Sequence, residues 1–78
     1  MTMEEKRTLH ERAKLGRKEV AVLLHHGDTL ETFGEDAKLA SGDPGMDYAK
    51  FTLDELDKVR LRILDNGWKR VYLVIKEY

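Results

Sequence analysis

Cysteine is absent, which excludes a disulfide framework and any thiolate metal site. Long apolar runs are absent too. No stretch approaches the length of a membrane span, and Met1 to Arg7 is too charged to form the apolar core of a signal peptide. These features imply a cytoplasmic protein without membrane contact. Neither sign of charge is in excess: 14 Lys and Arg against 15 Asp and Glu leave a formal net charge of −1. Such a chain has no global attraction to phosphate backbones, so any nucleic-acid contact must be local. Aromatic residues are scarce, at 8%. In a chain of 78 residues, expected to form a single domain over 1–78, Phe33 and Phe51 are needed for the core rather than for a base-stacking platform.

What is present is well punctuated. Thr2-Met3-Glu4-Glu5 forms a capping box, which predicts a helix from there to Gly16, with a thin apolar stripe of Met3, Leu9 and Ala13 that holds it loosely to the domain. Val20 to Leu24 is continuously apolar and predicts a central strand buried on both faces. Turn residues His25 to Asp28 follow, then Thr29 to Phe33 as a short strand or extended loop. Glu35 to Ala40 reads as a short helix with an acidic first turn. After the break at Ser41 to Gly45, Met46 to Phe51 reads as a modest strand. A second capping box, Thr52-Leu53-Asp54-Glu55, opens a helix whose apolar spacing runs to a stop at Asn66-Gly67. Val71 to Ile75 closes the series as a second buried strand. The order predicts an α/β fold of the α+β type: a small mixed sheet flanked by helices.

Candidate chemistry is sparse. His25 and His26 are neighbours on a strand and point to opposite faces, so they cannot readily chelate one ion, and His10 lies on a separate helix. Asp28, Glu31, Glu35 and Asp36 form a carboxylate cluster in sequence that could bind Mg²⁺ or supply an acid and base pair. No nucleophile, phosphate clamp or glycine-rich phosphate loop stands beside it, so no catalytic residue, cofactor or metal is assigned. A small Mg²⁺-dependent enzyme using Asp28, Glu31 and Glu35 remains the enzymatic alternative. Positive patches at Lys14, Arg17 and Lys18, at Lys58, Arg60 and Arg62, and at Lys69 and Arg70 read as solvated faces. Trp68, followed by Lys69-Arg70, is the aromatic expected to lie exposed beside positive charge.

The segment from Val22 to Ala40 resembles the start of the N-terminal mismatch-recognition domain of the MutS family. Gly27-Asp28, Glu31, Phe33, Glu35-Asp36-Ala37 and Ala40 fall in register with that pattern, and the surrounding order of helices and strands agrees. The resemblance implies the fold of that domain standing alone and a non-catalytic role in binding double-stranded DNA or a DNA-processing protein, in DNA mismatch repair. It also implies DNA contacts at Thr29 and Glu31, the positions of a phenylalanine-x-glutamate motif in which the ring stacks on a mispaired base. Thr29 replaces that ring. A protein-interaction or regulatory module on the same fold is the alternative.

Overall fold

The computed structural model describes residues 1–75. The elements in chain order are α1 (Met3–Lys14), β1 (Val20–His26), β2 (Thr29–Phe33), α2 (Gly34–Ser41), β3 (Tyr48–Thr52), a single 3₁₀ turn (Leu53–Glu55), α3 (Leu56–Asp65) and β4 (Arg70–Ile75). The four strands form one mixed sheet in the order β3-β2-β1-β4. The predicted α+β architecture is observed. Among the described residues no helix is long and apolar enough to cross a membrane.

Local chemistry accounts for the boundaries. At α1, Thr2 Oγ1 accepts from the Glu5 amide at 3.1 Å, and the Glu5 carboxylate accepts from the Thr2 amide at 3.0 Å. Glu55 likewise reaches back to the Thr52 amide at 2.9 Å, ahead of α3. Each interaction gives a partner to a donor that a helix start leaves unsatisfied. β1 and β2 form an antiparallel hairpin whose last pair is His26 with Thr29, so Gly27 and Asp28 are the whole loop. Gly27 has φ +57, the left-handed value that a type II′ hairpin turn requires at its first loop position.

β1 is the pivot of the packing. Its side chains alternate between two cores, as the pleat dictates. Ala21 and Leu23 pack with Ala40 of α2 and with Val59 and Ile63 of α3. Val22 and Leu24 pack on the opposite face with Phe33, beneath Leu9 and Ala13 of α1. The expected burial of β1 on both faces is thus met by helices on both sides.

β4 departs from expectation. It pairs in parallel with β1, among the described residues no strand lies beyond it, and Tyr72 is 40% exposed. Its run of apolar residues reads like an interior strand because β1 alone supplies one of its edges and helices cover part of its faces. The outer edge stays open. Trp68 departs in the other direction: it is half-buried against the core of Ala21, Leu23, Val59 and Ile63. Among the described residues the exposed aromatic beside positive charge is Tyr72, four residues later.

Candidate functional site

α1 is fastened to the rest of the fold by polar links to buried carboxylates as well as by Leu9 and Ala13. Asp36, 1% exposed at the start of α2, gathers three donors. Its Oδ1 accepts from Lys14 Nζ at 3.0 Å, and its Oδ2 accepts from His10 Nε2 at 3.0 Å and from the Val22 amide at 2.9 Å. Thr32 Oγ1 donates to the Val22 carbonyl at 2.8 Å and lies 3.3 Å from His10 Nε2. Since that hydroxyl has spent its proton and a carboxylate only accepts, His10 Nε2 must carry a hydrogen directed at both. The β1–β2 ladder is paired only as far as Leu24 with Glu31. Beyond it, the side chains of Asp36 and Thr32 take over the backbone groups of Val22, which would otherwise be costly to bury. Burial works to raise the Asp36 pKa, but the bonds from His10, Val22 and Lys14 outweigh it and hold the carboxyl below its ordinary value.

Glu31 sits in a second such site. It is 4% exposed, with Oε1 2.9 Å from Lys6 Nζ and Oε2 accepting from Tyr48 Oη at 2.6 Å. Burial again opposes ionisation, and the bonds from Tyr48 and Lys6 again prevail, so the Glu31 carboxyl lies below its usual range. Burial and the neighbouring Glu31 charge push the Tyr48 hydroxyl up to about 12. Glu31 is therefore neither a solvated carboxylate nor, while α1 and Tyr48 hold it, open to a nucleic-acid base. Thr29 lies half-exposed beside the hairpin loop and donates to the His26 carbonyl at 2.8 Å.

The carboxylate cluster read from the sequence does not assemble. Asp28 is exposed in the hairpin loop, Glu31 lies under α1, and Asp36 is committed to His10 and Lys14. Among the described residues no three His, Cys, Asp or Glu side chains are placed to hold a metal ion. The pleat and helix directions send sequence neighbours to different sides, which corrects the reading of Asp28, Glu31 and Glu35 as a Mg²⁺ site. His25 is occupied locally, its Nε2 2.9 Å from the Gly27 carbonyl.

Two of the positive patches do come together. β1 and β4 are parallel, with Val20 opposite Arg70, so the residues leading into each strand meet at one end of the sheet. The Lys69 amide donates to the Glu19 carbonyl at 2.8 Å, tying the two approaches together. Lys14 Nζ stands 5.0 Å from the centre of the Trp68 ring, and the Arg17 guanidinium lies 4.1 Å over the Tyr72 ring. Positions 14–20 and 68–72 hold Lys14, Arg17, Lys18, Lys69 and Arg70 against one acid, Glu19. Glu19 pairs with Lys69 at 3.1 Å, and Lys14 with Asp36. Among the described residues Arg17, Lys18 and Arg70 have no carboxylate partner, and all three are exposed. The sequence does contain the signal for this end: a basic pair, Arg17-Lys18 and Lys69-Arg70, close to the start of each of two apolar strands. It becomes informative only once the strands are known to be parallel neighbours. No family profile, curated protein or solved structure matches the chain.

Proposed function

We propose that the chain is a non-catalytic DNA-binding module, a standalone relative of the MutS N-terminal domain, that meets duplex phosphates with the basic end of its sheet rather than with Thr29 and Glu31. The observation that carries this reading is the meeting of Arg17 and Lys18 with Lys69 and Arg70 beside an exposed tyrosine. Phosphate contacts need cations without internal partners, because only those exchange counterions for DNA. Among the described residues Arg17, Lys18 and Arg70 have no carboxylate partner, and the Tyr72 ring under Arg17 leaves its charge unneutralised. The relationship to MutS is supported by the register of Gly27 to Ala40 and by the order hairpin, helix, strand, helix, strand that follows α1. A cytoplasmic location belongs to the same proposal and rests on the cysteine-free sequence.

Binding of a labelled duplex over a salt series tests it. With about three phosphates engaged, the slope of log affinity against log salt is near −2.7, so affinity falls by about 40-fold between 50 and 200 mM. The double variant Arg17→Ala, Arg70→Ala is expected to reduce the slope by about two. Binding absent at the lowest salt, or unchanged in the double variant, would remove the proposal. A second reading, a protein-interaction module on the same fold, is favoured by the locked state of Glu31, which leaves the recognition pair of the family without its carboxylate.

A further inference from the structure

The two arginines at the basic end do more than add charge. Arg17, Val20, Arg70, Val71 and Tyr72 line an open concavity of about 340 Å³, near the lower end of the range for small-ligand sites. Its composition is uneven in an informative way: two guanidiniums without carboxylate partners among the described residues, two β-branched apolar side chains, and one phenol ring. A flat protein-binding patch would not need paired guanidiniums. An acidic peptide would not need an apolar floor with a ring. A nucleotide uses both, since its phosphate suits the planar fork of arginine and its base suits stacking.

The stacking arrangement is already in place. At 4.1 Å from the ring centre, the Arg17 guanidinium is in van der Waals contact with one face of Tyr72. Held there, it loses less freedom on engaging a ligand than an arginine standing free in solvent. With Arg17 over that face of Tyr72, a base entering the concavity stacks on the guanidinium that the ring backs, and Arg70, which opens β4, lines the same concavity as a cation for its phosphate. Paired bases within a duplex cannot use such a platform, because their faces are covered by their neighbours in the stack.

We infer that this concavity takes an unpaired nucleotide, so that the module prefers a duplex carrying a single-stranded overhang to the same duplex with blunt ends. This rests on the reading of the basic end as a DNA-binding surface. Fluorescence anisotropy with three labelled probes tests it: a blunt duplex, the same duplex with a short thymidine overhang, and an overhang of abasic sugar-phosphate of equal length. The thymidine overhang is expected to bind at least about five-fold more tightly than the other two, the lower limit for stacking one base on an aromatic platform. Tyr72→Leu keeps the apolar bulk of this exposed strand position and is expected to abolish the preference of thymidine over abasic overhang, read as the ratio of the two affinities within the variant itself.

Equal binding of thymidine and abasic overhangs by the unaltered protein would overturn the inference and leave duplex binding standing. A preference that survives in Tyr72→Leu would also overturn it, by locating the stacking elsewhere. Failure to bind any of the three probes would remove the DNA-binding reading itself.

Discussion

Replacing Asp36 with alanine is expected to lower the unfolding free energy by about 3 kcal/mol, read from the denaturation midpoint in urea. For a domain this small that is a large part of the total, which at typical values per residue is on the order of 4–12 kcal/mol. The loss has three parts. The Val22 amide, buried in β1, loses its acceptor; His10, itself 5% exposed, loses its carboxylate partner; and Lys14 is left beside the Trp68 ring with only the Val20 carbonyl, 2.6 Å away. Lys14 retains 27% side-chain exposure and can turn to water, which places the expected cost toward the low end for a broken buried ion pair. Asp36→Asn keeps an acceptor for Val22 and is expected to cost less. The same carboxylates set the acid limit of the fold. Asp36 and Glu31 both have pKa values lowered on folding, so their contribution is complete above the unfolded carboxyl values, near 4, and is lost as pH falls through the folded ones. Stability should therefore decline below about pH 4, and less steeply in Asp36→Asn.

Ile63→Ala should be comparably damaging, about 3 kcal/mol by the same measurement, because it opens a cavity at a fully buried position. Ile63 faces Ala21, Leu23, Ala40 and Val59, where two of the four neighbours are alanines with little side chain to move into the space. α3 is the element that carries the chain to Trp68, Lys69 and Arg70. A variant that remains folded in the cold should nevertheless bind duplex DNA with unchanged affinity, since Ile63 is fully buried and packs in the apolar core. Reduced affinity in a folded sample would show that α3 sets the position of the basic end more delicately than its packing implies.

Local features were legible in the residues, and partnerships across the chain were not. Both capping boxes and the two-faced burial of β1 follow from spacing and pleat and are present, whereas the turn expected over His25 to Asp28 narrows to Gly27-Asp28, because His25 and His26 continue β1 in its pairing with β2. Asp36 looked like a dipole-stabilising acid at a helix start, and its engagement with His10, 26 positions earlier, depends on α1 folding back over the sheet. From the sequence Glu31 reads as a DNA contact or a Mg²⁺ ligand, and Lys6 and Tyr48 satisfy it in a third way that no local pattern announces. Trp68 and Tyr72 exchanged roles for a related reason. Alternation along β4 separates Tyr72 from Val71 and Leu73, but how far its face is covered depends on α1 ending at Lys14, which spacing along β4 does not reveal. The loose attachment expected of α1 was correct as to its few apolar contacts and missed its buried ion pairs, whose partners lie on β2 and α2.

The proposal turns on which surface meets DNA, and amide chemical-shift mapping during titration with a short duplex reads that surface directly. Shifts concentrated at positions 16–20 and 68–72, fading as salt is raised, are the predicted result. Shifts concentrated instead at the hairpin from His26 to Glu31, or none at low salt, would contradict it.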